Sequence, residues 1–221
     1  MLIGLIGLIG LIGLIGLIGL IGLIGLIGLI IMEIGAVKVF WLWLIIVLLL
    51  AALLELLAGG SGFAMPVLAV AGFYFAVLRH WRPLLLPYMV AGLALDLCFA
   101  RVVPPHVLIM PLVLFGGRMW CFSGELKTPL VQALPGAGVG LLASLAVVGG
   151  QLLQGHAVLS QPGQVLFYVL ENVLWGMILL PLSCLVLDGV ARFLALRRYS
   201  RVTPHDHVLE EDGKDALSDE Q

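Results

Sequence analysis

A chain of 221 residues that is 62% hydrophobic and only 11% charged is not built for water; soluble domains carry about 25% charged residues. With a mean hydropathy of +1.19, most side chains must face lipid or one another, which excludes a soluble globular domain and predicts an all-α polytopic membrane bundle. The net charge of −2 says little about the body, because acids crowd the stretch from Asp206 to Glu220.

Residues 2–28 are nine consecutive Leu-Ile-Gly triplets. The period of three mimics collagen, but without proline a triple helix lacks its conformational support. As a helix in water each glycine would cost about 1 kcal/mol, and its stripe would spiral round the axis. Membrane helices tolerate glycine, so an extra apolar N-terminal helix is the alternative. The stretch has neither the basic n-region nor the small-residue cleavage site of a signal peptide. Residues 1–31 are read as a low-complexity repeat with no assigned role, and Met32 as the working start.

Residues 32–196 hold six apolar runs. Lys38 leads into Phe40, Trp41 and Trp43, an interfacial anchor, and span one reaches Ala58, about the 20 residues needed to cross a bilayer. After Gly59-Gly60-Ser61-Gly62, span two runs from Phe63 to Leu78, with Pro66 near its start, where proline harms a helix least. The basic loop Arg79-His80-Trp81-Arg82 precedes span three, Leu84 to Ala100. Arg101, Pro104 and Pro105 turn the chain into span four, His106 to Phe115, short enough to require tilt or shelter. Span five, Leu130 to Leu153, is rich in small residues that let backbones approach, and is expected to be the tightly packed central helix. Span six runs from Val165 to Leu187. Residues 197–221 form a polar tail with little to bury, expected to be disordered.

An acid inside an apolar run normally has a partner or a role. For Asp96 two readings stay open: a contact to a partner helix or solute, and an internal pair with Arg101. Glu171 and Asn172 are placed where they could join Asp96 or His106 in a polar cluster; an incidental hydrated face is the alternative. Glu55 is expected to reach water, His106 to be a helix-end residue rather than a ligand, and Asp188 to pair with Arg192 one turn on. Asp188-Gly189-Val190-Ala191-Arg192 falls one residue short of the DGxxAR spacing of CDP-alcohol phosphotransferases and lacks the further carboxylates that Mg²⁺ needs. Cys98, Cys121 and Cys184 are expected to be buried thiols, neither a disulfide framework nor a zinc site. His205-Asp206-His207 reads as solvated tail. No nucleophile–base pair, P-loop, HExxH or dinucleotide fingerprint occurs, so no enzyme, catalytic residue, cofactor or metal is expected.

The segment from Met65 to Trp120 resembles the MreD family of rod shape-determining membrane proteins. Pro66-Val67-Leu68 opens the second span, Phe73-Tyr74-Phe75-Ala76-Val77-Leu78-Arg79 leads into the basic loop, and Gly92-Leu93-Ala94-Leu95-Asp96-Leu97 is similar to the family's G-x-x-x-D-L signature. After Asp96 the family commonly has a Ser/Gly-rich turn, where this chain has Cys98-Phe99-Ala100-Arg101. The resemblance implies a non-enzymatic inner-membrane subunit of the bacterial cell-wall elongation machinery. It would be a scaffold associated with an MreC-like protein and wall-synthesis enzymes, without nucleic acid, with Asp96 as a structural or partner-contact position. The rival class is the substrate-binding subunit of a small-molecule transporter of the energy-coupling-factor type. A polar pocket built from Asp96, His106, Glu171 and Asn172 would favour the transporter, and a tightly packed bundle with an exposed apolar face the scaffold.

Placing the start of span one inside puts every Lys and Arg except Arg101 on the same side, as the positive-inside rule asks. The expected topology is six spans with both termini cytoplasmic and the bundle surrounded by membrane lipid. Single cysteines placed in the 154–164 loop are therefore expected to react with an impermeant maleimide from outside the cell; reaction only from the cytoplasm overturns this topology.

Overall fold

The computed structural model describes residues 36–61, 63–101, 103–121, 129–154, 162–194, 196 and 199. The Leu-Ile-Gly repeat, the loop segments 122–128 and 155–161, and the tail apart from Tyr199 lie outside the described residues, and with them His205-Asp206-His207. Among the described residues there are six helices: α1 (Ala36–Gly60), α2 (Val67–Leu78), α3 (Trp81–Cys98), α4 (Pro105–Cys121), α5 (Pro129–Leu153) and α6 (Pro162–Phe193). Among the described residues there is no strand. The chain divides into two compact units, Met1–Trp43 and Leu44–Gln221. In the first, the described turns of α1 set the Phe40 ring edge-on to Trp41 and Trp43, at 6.0 and 6.2 Å. The second holds the rest of α1 and all of α2 to α6.

Proline sets several helix starts. It is the first residue of α4, α5 and α6, where its fixed φ suits the first turn and its missing N–H is not needed. Pro87, Pro111, Pro135 and Pro181 lie inside α3 to α6; membrane helices accommodate such breaks through neighbouring groups. Among the described residues three helices are long and apolar enough to cross a membrane, over Lys38–Gly60, Val131–Leu153 and Pro162–Phe193.

α2 is of another kind. Its 12 residues reach about 18 Å at 1.5 Å per residue, short of a hydrocarbon core about 30 Å thick. Every residue from Leu68 to Leu78 is buried, and α3, α4, α5 and α6 all pack against it. A helix apolar on all sides is one enclosed on all sides. The central helix is therefore α2 rather than α5, which corrects the expectation from small-residue content. Small residues serve one close neighbour, whereas a centre needs apolar side chains on every face.

For α5 that one neighbour is α6. A β-carbon on Gly136 would collide with the carbonyl oxygen of Gly176, and one on Gly140 with the carbonyl oxygen of Asn172. Position 136 thus lies opposite 176 and 140 opposite 172, so the pair is antiparallel with its backbones in contact. Gly138, between them in sequence, has open space where its β-carbon would go. The other face of α6 exposes Leu166, Phe167, Leu170, Leu174, Ile178, Leu182 and Leu185.

Gly136→Ala should destabilise the purified protein by about 1–3 kcal/mol, because the intruding methyl meets backbone that cannot rotate away. Gly138→Ala should be neutral or stabilise by up to about 1 kcal/mol by restricting the unfolded chain. Thermal unfolding of both variants in the same detergent measures the contrast.

Candidate functional site

The end of α3 begins the site. Arg101 N donates to Asp96 O and Ala100 N to Leu97 O, both at 3.0 Å, the double closure of a Schellman turn. That turn needs a left-handed residue after the cap, and Ala100 takes it with φ of 52°. A non-glycine residue there costs about 1–2 kcal/mol. The fold accepts the cost because the turn carries Arg101 back over its own helix, with Nη1 3.3 Å from Asp96 Oδ1. The guanidinium also sits 4.7 Å from the centroid of the Phe99 ring.

Two helix starts then need acceptors, because the first N–H groups of a helix have none within it. At α4, His106 N donates to Asp96 Oδ2 at 2.9 Å. At α2, where Pro66 supplies no side-chain cap, Leu68 N donates to Glu55 Oε2 at 2.8 Å. Each carboxylate is a cap lent by another helix, set where the positive end of the helix dipole favours it. The free oxygens are joined by His106, whose Nδ1 lies 2.6 Å from Asp96 Oδ1 and Nε2 2.7 Å from Glu55 Oε1. Gly92 makes the approach feasible, since a β-carbon there would stand 2.9 Å from the β-carbon of His106. The G-x-x-x-D pair thus has one physical purpose: glycine admits the start of α4 and aspartate caps it.

Proton counting sets the charge of this clamp. A neutral imidazole has one N–H, so two short bonds to carboxylates require a second proton, on the ring or on a carboxyl group. Wherever that proton rests, Glu55, Asp96, His106 and Arg101 together are neutral. Neutrality matters because Asp96, His106 and Glu55 are 1%, 6% and 8% exposed, and a net charge at that depth would be expensive.

The structure brings Asp96, Arg101 and His106 together and adds Glu55. Glu55 does not reach water, contrary to expectation. It continues a buried stripe of Leu44, Leu48 and Ala51, but the sequence did not mark that stripe, because the equally apolar Leu49, Leu53 and Leu57 are exposed at helical spacing on the same helix. His106 does begin a helix, as its position suggested, but it also bridges both acids. Glu171 points elsewhere, accepting from Ala64 N at 3.3 Å. Asn172 donates to Tyr168 O at 3.0 Å. A cavity of about 230 Å³ adjoins the clamp, lined by Glu55, Arg101, His106, Tyr168 and Asn172 together with apolar groups such as Phe63 and Val147.

A second polar cluster lies along α2 and α6. Tyr74 Oη and Tyr199 N each donate to Asp188 Oδ1 at 2.8 Å. The two tyrosine rings stack 5.7 Å apart. Asp188 thus holds partners distant from it in sequence, and Tyr199, assigned to the polar tail from sequence, is packed. Burial pushes the Tyr199 phenol well above its ordinary range. Cys121 and Cys184 are buried, but Cys98 is exposed, against expectation; it lies on the outward side of α3 beside exposed Leu97. Among the described residues no group of three His, Cys, Asp or Glu side chains is set to hold a metal ion. Comparison with protein-family models, curated proteins and solved structures gave no match.

Asp96→Ala should cost about 3–5 kcal/mol, because it strands Arg101, His106 and the start of α4 at once. Arg192→Ala, at an exposed position, should stay within about 0.5 kcal/mol. In a double-mutant cycle, Glu55→Gln and His106→Gln should couple by about 0.5–3 kcal/mol. Additive effects would show that the bridge contributes nothing.

Proposed function

We propose that this chain is a non-enzymatic, multi-pass scaffold subunit of the bacterial inner membrane. It crosses six times with both termini cytoplasmic and works in the cell-shape and wall-elongation complex beside an MreC-like protein. The observation that carries this reading is the use made of Gly92 and Asp96. The pair through which the chain resembles MreD is spent on locking α3 to α4, so the clamp serves architecture and the apolar outer faces are left for partners.

Six crossings need the short α2 to traverse the bilayer together with the non-helical stretch Phe63–Pro66. Irregular backbone is tolerated at membrane depth only where protein or a cavity surrounds it. Here its amides have takers: Ala64 N donates to Glu171 and Phe63 N to Ala58 O, and at the start of α2 Leu68 N donates to Glu55. This supports a crossing segment.

The second reading, a substrate-binding subunit of a small-molecule transporter, is favoured by one specific feature, the polar-lined cavity beside the clamp.

Mild-detergent purification from the native organism, with a C-terminal tag on the chain, separates the two. The scaffold reading expects MreC-like and wall-synthesis proteins to co-purify, and expects Asp96→Ala to reduce their recovery and disturb cell shape. Recovery of ATPase subunits with a coupling membrane protein instead establishes the transporter reading.

A further inference from the structure

The cavity adjoining the clamp has a chemistry of its own. Its lining comes from the ends of α1, α3 and α4, from the 63–66 stretch, and from α5 and α6. One side carries a cation with donors to spare. Among the described residues Arg101 spends Nη1 on Asp96, which leaves the rest of its planar fork, with 28% of the side chain exposed. Such a fork suits an anionic oxygen group.

The lining also carries Glu55 and the aromatic rings of Phe63 and Tyr168, with the Phe99 ring already against the Arg101 guanidinium. Glu55 has one hydrogen bond on each oxygen, and a carboxylate has room for more. A carboxylate beside aromatic faces suits an ammonium group. Because the four clamp groups already sum to zero, an occupant bearing net charge of either sign would find no net counter-charge among them. An occupant that carries both signs needs none.

The size is restrictive too: about 230 Å³ lies below the range of about 300–1,000 Å³ typical of pockets for drug-sized ligands.

We propose that this cavity binds a compact zwitterion, its anionic group on Arg101 and its ammonium group beside Glu55 and the aromatic rings. Two sources present that chemistry, the headgroup of an ethanolamine phospholipid and a free amino acid. The site goes beyond the scaffold reading and does not depend on it. A resident lipid headgroup is compatible with a scaffold, and a free amino acid with the transporter alternative.

The test uses the full-length protein in a non-ionic, sugar-headed detergent. Phosphatidylethanolamine, phosphatidylglycerol and L-leucine are titrated separately, with thermal stabilisation and native mass spectrometry as readouts. Either zwitterionic probe should bind saturably, at least about tenfold more tightly than phosphatidylglycerol, a difference that corresponds to losing one charge-assisted contact. Saturation by phosphatidylethanolamine identifies a lipid site, and saturation by L-leucine a solute site. Arg101→Gln should weaken binding by about tenfold or more. Since Arg101 belongs to the clamp, Val147→Phe serves as the second variant: it fills the cavity, replaces none of the charged residues, and should abolish binding while the protein stays monodisperse. Failure of both zwitterions to saturate the wild-type protein overturns the proposal. So does equal affinity for phosphatidylglycerol, or binding that survives Val147→Phe.

Discussion

Two helices begin inside this bundle with no acceptor of their own for their first amides, and both borrow a carboxylate from another helix. In water such a start would be solvated and of little consequence. In lipid each orphan N–H is costly, and so is a carboxylate brought to meet it. The arrangement here lets each expense offset the other. Glu55 caps α2, Asp96 caps α4, and His106 with Arg101 neutralises the pair. Removing any one member exposes the others, so the four residues act as a unit rather than as separate contacts.

The rest of the fold can be followed from that constraint. With its start secured by Glu55, α2 can be short and wholly apolar, and four helices close round it. The stretch before it can stay non-helical because Glu171 and Ala58 O take its amides. The outer pair is held differently. Between α5 and α6 it is backbone against backbone, with glycine at the points of contact. Polar bonds tie α6 to the centre through Tyr74–Asp188 and Ala64–Glu171, and close backbone packing joins α5 to α6, both suited to a medium where apolar contact between helices gains little over contact with lipid.

The clamp also bears on its neighbouring cavity. Because the four groups sum to zero wherever the shared proton rests, they present an occupant with no overall charge. Arg101 is shared between the two, one nitrogen holding Asp96 and the remainder lining the space. The left-handed turn at Ala100 is what sets it there.

Much of this was legible in the residues, and for identifiable reasons. Apolar runs broken by glycine, proline and short basic loops locate all six helices, because lipid demands apolar side chains over a fixed length. Asp96 announced itself, an acid among leucines being too costly to be idle, and the Asp96–Arg101 pair lay within reach of sequence spacing. Glu55 was misjudged, because its place near the end of an apolar run looks the same whether the side chain turns to water or inward. The choice depended on His106 and Leu68, which lie far along the chain. The small residues of α5 were read as the mark of a central helix, but only the packed structure showed that Gly136 and Gly140 serve the contact with α6. By itself, then, the sequence determined that the chain is helical and apolar, where each helix lies, and that Asp96 must be satisfied, since these depend on local composition and the solvent. Which acid caps which helix, which helix lies at the centre, and that a cavity opens beside Arg101 were decided by tertiary structure alone, because each depends on side chains distant in sequence meeting at one point.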